Sequence, residues 1–153
     1  LYEQVYNQPL DYIQNHPYTE TNDMVGYKLM RDLRYTKNIL VGFKNRKGVY
    51  SRKGWNYDPY TYTIPIWQWN DTTKEFEKKE YETGYHIYIN ESDALNVWNK
   101  DFNYQYFCSI FKVEFSDVTT YGLKHNVKIV VAKKFKILKV VKKGHTYKEA
   151  VCL

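Results

Sequence analysis

The chain is poor in the residues that build disulfide frameworks and metal sites. It has two cysteines, Cys108 and Cys152, four histidines that stand far apart, and no CxxC pair. These absences argue against a disulfide-rich secreted scaffold and against zinc ligands close together in sequence. We therefore predict no bound metal, no cofactor, and a reducing compartment inside the cell.

Signals for nucleotide loops and membranes are missing as well. Neither GxGxxG nor GxxxxGKS/T occurs, so the sequence predicts neither a dinucleotide-binding loop nor a P-loop. No apolar stretch approaches about 18 residues, so no transmembrane helix is predicted. The first residues also lack the basic and then apolar layout of a signal peptide. We expect no association with a membrane.

Tyrosine, in contrast, is abundant: 17 of the 153 residues are tyrosine, and aromatic residues make up 18%. Tyrosine favours strands and half-buried surfaces, where the ring packs and the hydroxyl stays hydrated. Two interpretations remain open, a β-rich fold whose composition reflects codon usage, and a functional aromatic surface. The candidates for aromatic contacts with a partner are Trp55, Tyr60, Trp67 and Trp69.

Positive charge is concentrated in the last quarter of the chain. Residues 118–153 contain nine lysines, one acidic residue and no arginine, a net charge of +8, whereas the whole chain carries +6. Residues 1–117 therefore carry a net charge of −2. Such asymmetry produces a local positive field that attracts anionic partners.

Alternating apolar and polar residues predict strands over much of the chain. The expected strands are 24–30, 38–43, 85–89 and 107–115, followed over 127–141 by two strands or by one long strand with a bulge near 132–134. Turns are expected at 45–48, which would make a hairpin, and at Tyr121-Gly122. The chain is thus predicted to be a single domain over residues 1–153, of α+β class, mostly antiparallel β-sheet with two or three short helices.

Three segments have weaker patterns. Pro59 and Pro65 lack the amide donors that a central strand needs, so residues 55–69 are expected to form a structured loop with an edge strand. Residues 74–80 are highly charged and are expected to form an exposed turn or a short helix, and residues 1–20 a helical or irregular arm. Ser92 is the predicted N-cap of a helix of about two turns.

His86 is the candidate for chemistry. It lies on the predicted strand 85–89, on the face opposite Tyr85 and Ile87 and near the start of the predicted helix. A histidine there could bind an anion or transfer a proton, which makes it the one weak catalytic candidate. The alternative is a structural histidine whose ring bonds a backbone carbonyl.

Lysines of the C-terminal strand are the candidates for binding. Those at positions 128, 134 and 136 are predicted to share one face of the strand. The full set of anion-binding candidates is Lys128, Lys133, Lys134, Lys136, Lys139, Lys142 and Lys143. Because lysines attract phosphates and aromatic rings stack on bases, this pattern indicates a nucleic acid or an acidic protein as partner. The alternative is an edge strand whose lysines prevent edge-to-edge pairing.

Four short motifs carry a resemblance to a known group of proteins. They are GYHIY at 84–88, SDA at 92–94, VEFSDV at 113–118 and IVVAKK at 129–134. Together they resemble uncharacterised accessory-protein domains of large DNA viruses and phages, over about residues 84–140. The resemblance implies a viral protein of the host cytoplasm or the virion that binds a host or nucleic-acid partner. It implies no catalytic residues.

These observations leave three functions open. The first is a non-enzymatic binding protein that engages an anionic partner through the C-terminal lysines. The second is a small enzyme acting on a nucleotide or a phosphoester, with His86 as acid or base. The third is a structural virion component or homo-oligomer in which the segment 55–69 makes subunit contacts.

Overall fold

The computed structural model describes residues 2–4, 9–14, 17–18, 24–32, 43–44, 50–51, 54–101, 105 and 108–144. In chain order its elements are β1 Tyr2–Gln4, β2 Tyr12–Ile13, β3 Val25–Asp32, β4 Phe43–Lys44, β5 Tyr50–Ser51, β6 Trp55–Tyr57, β7 Thr63–Asn70, β8 Glu75–Glu82, β9 Tyr85–Tyr88, α1 Glu91–Lys100, β10 Cys108–Lys124 and β11 Val127–Lys142. The predicted class is confirmed, since sheet predominates and the pairings are antiparallel except between β1 and β4. Of the two or three helices predicted, α1 is the one whose bounds are described. No helix in the described ranges is long and apolar enough to cross a membrane.

The two longest strands, β10 and β11, form one antiparallel ribbon. Its turn is at His125 and Asn126, both with positive φ, a conformation that these residues tolerate better than most. The turn predicted at Tyr121-Gly122 is wrong, because Gly122 lies within β10. A side chain at Gly122 would collide with the backbone carbonyl of Tyr12, so the glycine is needed for the close pairing of β10 with β2.

Four strands close into a circuit around the first core cluster. β10 pairs with β11 on one side and with β3 on the other, and β9 joins β11 to β3. The buried members of the cluster are Met30, Tyr85, Ile87, Phe111, Val113, Phe115, Val130, Ala132 and Phe135. The predicted strand 85–89 is confirmed as β9. Its half-buried pattern is wrong, because all four residues of β9 are buried.

A lysine is buried beside this cluster. Lys28 is 1% exposed, and its Nζ donates a hydrogen bond of 3.1 Å to the carbonyl oxygen of His86. The same Nζ lies 5.6 Å from the ring centre of Tyr85 and 5.8 Å from that of Phe135. These contacts compensate part of the cost of burying an ammonium group, and they place Lys28 out of reach of a partner.

The outer face of the circuit is covered by α1, by the β7–β8 hairpin and by the segment before β2. These elements form the second core cluster, whose buried members are Leu10, Leu29, Ile66, Tyr81, Tyr88, Ala94, Trp98, Cys108, Ile110, Ile129 and Val131. The prediction of Ser92 as N-cap is wrong, because α1 begins after Asn90. Asn90 makes no side-chain cap and donates instead to the carboxylate of Asp93.

The hairpin β7–β8 is a separate two-stranded sheet. The edge strand predicted around Pro65 is confirmed as β7. The exposed turn or helix predicted over 74–80 is wrong, because residues 75–82 form β8 and the turn lies at 71–74. β8 accommodates its many charged residues because Tyr81 is its single buried residue.

Two other predictions concern the first third of the chain. Residues 1–20 contain the short strands β1 and β2 where a helix or an irregular arm was expected. The hairpin predicted around 45–48 is supported by the antiparallel pairing of β4 with β5. The turn itself and residues 38–42 lie outside the described residues.

Candidate functional site

His86 is part of a buried hydrogen-bond chain. Its ring Nε2 lies 2.8 Å from the hydroxyl oxygen of Tyr81, which also accepts a hydrogen bond of 3.1 Å from the backbone N–H of Leu10. His86 and Tyr81 are each 4% exposed. These hydrogen bonds thus connect the segment before β2 to the β7–β8 hairpin and to β9. The ring therefore takes part in a structural hydrogen bond with a tyrosine hydroxyl.

Lys133 points into the protein and does not belong to an exposed lysine surface. It is 8% exposed, and its Nζ donates to the backbone carbonyls of Tyr60 and, at 2.8 Å, Thr83. The Glu82 carboxylate lies 3.5 Å from the same nitrogen. Lys133 therefore fastens the loop before β7 to the end of β8. This burial argues against the prediction that Lys133 binds an anion.

Lys136, in the middle of β11, is held between an acidic residue and an aromatic ring. Its Nζ lies 3.5 Å from the carboxylate of Glu114 and 5.3 Å from the ring centre of Trp55. The arrangement follows from strand pairing, because Lys136 is opposite Glu114 on β10 and opposite Trp55 on β6. Residues that face each other across a ladder have side chains on the same face.

Lys134, two residues before Lys136 on β11, has the same arrangement. Its Nζ lies 3.6 Å from the carboxylate of Asp117 and 5.9 Å from the ring centre of Tyr57, its partner on β6. Two of the predicted anion-binding lysines are therefore neutralised by carboxylates from β10. Neither carboxylate is close to these lysines in sequence, so the pairing arises from the ladder.

Irregular pairing brings further lysines to this face. Lys136, Lys139 and Lys142 are three residues apart and would alternate between the two faces of a regular strand. The register between β10 and β11 shifts once in each interval, so Leu138 and Val141 are additional residues of β11. Each additional residue returns the next lysine to the face of the one before it.

Lys128, by contrast, lies on the opposite face of β11 from Lys134. Ala132 and Phe135 are three residues apart yet both belong to the first core cluster, so the alternation of faces breaks between them. Asp117 lies on β10 between the partners of Lys134 and Ala132, and it has a positive φ of 57°. The prediction of one face shared by positions 128, 134 and 136 is wrong for Lys128.

The positive charge of the ribbon is therefore concentrated where β10 starts and β11 ends. Four lysines make up this cationic end: Lys112, Lys139, Lys142 and Lys143. Lys112 is directly opposite Lys139. Within the described ranges, no carboxylate lies within 4.0 Å of Nζ of Lys112, Lys139 or Lys142. Lys142 lies 5.4 Å from the ring centre of Trp98 on α1.

Lys112 was not among the predicted site residues, although it was within reach of sequence reasoning. It lies at a polar position in the strand predicted over 107–115. Its position opposite Lys139 required the register of the ribbon. The signal available in the sequence for this site was a lysine in each of the two strands, Lys112 in one and Lys139 in the other.

The predicted aromatic residues divide between two surfaces. Trp55 is 46% exposed on β6, beside the lysines, whereas Trp67 and Trp69 are exposed on the β7–β8 hairpin. Tyr60 is half-buried, and its backbone carbonyl accepts a hydrogen bond from Lys133. Sequence reasoning missed the exposed Phe76, because residues 74–80 were not expected to form a strand.

Two grooves lie on these surfaces. The larger, of about 670 Å³, is between the hairpin and the segment before β2, and Trp67, Trp69 and Phe76 line it. The smaller, of about 420 Å³, lies beside Trp55 and is lined by Glu114 and Asp117 as well. His86 lines neither groove.

Two pKa shifts occur near these surfaces. Burial raises the pKa of Asp11, but the hydrogen bonds from the His125 backbone N–H and from Lys124 outweigh it and hold the pKa below its usual value. Burial, together with the nearby charge of Glu91, raises the pKa of Tyr27. Neither residue is part of a metal site, since no group of three or more potential metal ligands occurs among the described residues.

Comparison with known proteins assigns no family. No family model matches the chain, and neither a curated protein nor a solved structure matches it.

Proposed function

We propose that the protein is a non-enzymatic binding protein that engages an anionic partner through the cationic end of the β10–β11 ribbon. The single observation that carries the proposal is the direct opposition of Lys112 and Lys139 on one face. Like charges that face each other across a ladder destabilise it. An anion between the two ammonium groups would remove that repulsion.

The form of partner best supported is a single-stranded nucleic acid. Trp55 and Tyr57 are 46% and 59% exposed. They lie on the same face of the ribbon as Lys136 and Lys134, their partners on β11. Single-strand binding combines lysines that contact phosphates with exposed rings on which bases stack, and stacking contributes about 1–3 kcal/mol per base. Lys134 and Lys136, neutralised by carboxylates, hold the rings in place.

Binding is to be measured by fluorescence anisotropy with a labelled single-stranded oligonucleotide, the matching duplex and an acidic peptide. We expect the single strand to bind, and the logarithm of its association constant to fall with the logarithm of salt concentration with a slope of about −2 to −3 for three or four phosphate contacts. Binding of the acidic peptide alone would identify a protein partner. Absence of binding to all three probes at low salt would overturn the proposal.

The matched variants carry equal changes of charge. Lys112→Gln, Lys139→Gln and Lys142→Gln together should weaken binding by about tenfold or more and flatten the salt slope. The control combines Lys74→Gln, Lys79→Gln and Lys128→Gln, none of which belongs to the cationic end, and should retain binding. Equal losses in both triple variants would mean that net charge, not this site, drives binding.

The viral or phage origin, the virion or host-cytoplasm location and the reducing compartment remain predictions. An accessory protein that binds nucleic acid would agree with the resemblance over residues 84–140. The enzymatic alternative has no support from the surroundings of His86, since its ring is buried and bonded to Tyr81.

A further inference from the structure

The outer face of the β7–β8 hairpin carries a cluster of exposed apolar side chains. Trp67 is 65% exposed, Trp69 46% and Phe76 61%, and Pro65 is exposed as well. Strand pairing places Trp69 opposite Phe76, with Trp67 and Pro65 following on β7. These four residues are called the hairpin face below. Contiguous exposed apolar patches larger than a few hundred Å² are rare on monomeric soluble proteins and mark interaction sites.

The inner face of the hairpin determines how the hairpin face is presented. Ile66 and Tyr81 are buried in the second core cluster, and the Gln68 side-chain oxygen accepts a hydrogen bond of 2.9 Å from the backbone N–H of Ile13. Because side chains alternate along a strand, burying this inner set turns the hairpin face away from the core. The exposure of the aromatic residues is therefore a result of how the hairpin docks.

Two rings of the hairpin face, those of Trp69 and Phe76, are held in place before any partner arrives. The indole N–H of Trp69 donates to the carboxylate of Asp71 at 2.9 Å. The Trp69 ring also meets Phe76 edge to face, with ring centres 5.1 Å apart. Ordered side chains lose less conformational entropy on association, so this surface is preorganised for binding.

The charges beside these rings select the kind of partner. Lys78 is opposite Trp67 and Glu80 is opposite Pro65, so both lie on the same side of the hairpin. Lys78 Nζ lies 3.8 Å from the Glu80 carboxylate and Lys74 Nζ lies 3.6 Å from the Asp71 carboxylate, so the charges of these two pairs sum to zero. A surface with net charge would repel a second copy of itself, whereas one positive and one negative group permit self-association.

From this complementarity we infer that the hairpin face is a symmetric interface with a second copy of this chain. Two hairpins pack face to face across a two-fold axis, with the aromatic residues at the centre and Lys78 of each copy beside Glu80 of the other. Facing sheets pack about 10 Å apart, a distance that large side chains fill. The interface is separate from the cationic end, so a dimer carries two anion-binding sites and binds a long nucleic acid with avidity.

The oligomeric state is to be measured by sedimentation velocity from about 1 μM to about 1 mM, a range that detects dissociation constants of weak to moderate dimers. We expect a monomer–dimer equilibrium. Trp67→Ser with Trp69→Ser should give a monomer, whereas Trp55→Ser, which removes from β6 a tryptophan as exposed as Trp69, should leave the dimer intact. A wild-type chain that stays monomeric up to the highest concentration would overturn the inference.

A charge exchange gives the sharper test and does not touch the aromatic residues. Lys78→Glu leaves two negative groups on the face and Glu80→Lys leaves two positive groups, so each variant alone should dimerise roughly tenfold more weakly or worse. An equimolar mixture of the two should restore the dimer. Glu75→Lys, on the inner side of the same hairpin, is the control and should dimerise like the wild type. Dimers of unchanged affinity in each charge variant alone would overturn the inference.

Discussion

Lys112 and Lys139 are opposite each other in the β10–β11 ladder, on the face that also carries Lys136 and Lys142. Within the described part of the chain, no carboxylate lies within 4.0 Å of either ammonium group. Like charges that face each other across a ladder destabilise it, so this pairing costs the fold free energy. The same two residues belong to the proposed anion site, so we expect them to lower stability while they favour binding.

Removing one charge of this pair should stabilise the protein. Lys139→Gln relieves the repulsion with Lys112, and we expect the free energy of unfolding to rise by about 0.2–1 kcal/mol at low salt. The measurement is the urea midpoint, with Lys128→Gln, on the opposite face, as the control that should not change it. A lower midpoint for Lys139→Gln would show that the pair is not repulsive.

Removing the buried amine of Lys133 should destabilise the protein. Lys133→Met leaves the backbone carbonyls of Tyr60 and Thr83 without this donor, and we expect a loss of about 2–4 kcal/mol in the free energy of unfolding. The adjacent Lys134→Met removes an exposed ion pair and should cost less than about 1 kcal/mol. Chemical denaturation of both variants gives the comparison, and equal losses would contradict the structural role of Lys133.

Removing the hydroxyl of Tyr81 tests the buried chain around His86. Tyr81→Phe withdraws the acceptor of the Leu10 N–H and the partner of His86 Nε2, and we expect a loss of about 1–3 kcal/mol in unfolding free energy. Tyr57→Phe, which alters an exposed ring, should be nearly neutral. Hydrogen exchange should also show faster exchange of the Leu10 amide in Tyr81→Phe alone, and an unchanged rate would argue against this bond.

Acid should remove the contribution of Asp11 to stability. Its pKa is lower in the folded protein than in the unfolded chain, so the stabilising effect is complete above the unfolded pKa of about 3.9 and is lost as pH falls through the folded value. Asp11→Asn should therefore be less stable than the wild type at pH 7, and the difference should shrink below about pH 4. Urea titrations at several pH values measure this difference. A gap that persists in strong acid would mean that Asp11 acts through something other than its charge.

Much of the fold was predictable from alternation along the chain. The strands at 24–30, 85–89 and 107–115 and the long strand from 127 are confirmed, because strands that pack against a core need apolar side chains at regular positions. The bulge expected near 132–134 has a counterpart, since the register shifts beside Ala132. The additional residue there is Thr119 on β10 rather than a residue of β11.

Two failures have different physical causes. β8 was not predicted because a strand whose buried positions are few has little apolar alternation to reveal it. Gly122 was interpreted as a turn residue, although it is needed for the close approach of Tyr12 from the other end of the chain. The first failure reflects how few side chains of β8 are buried, and the second reflects a contact between segments that are distant in sequence.

The sequence by itself determined the β-rich class, the location of most strands and the excess of lysine after residue 118, because these depend only on composition and local periodicity. The tertiary structure alone decided what each lysine does. Pairing with β10 brings Glu114 and Asp117 to two lysines, the loop before β7 buries a third, and register shifts at Leu138 and Val141 turn others to a common face. Charge is a property of residues, but its neutralisation depends on which strands are neighbours.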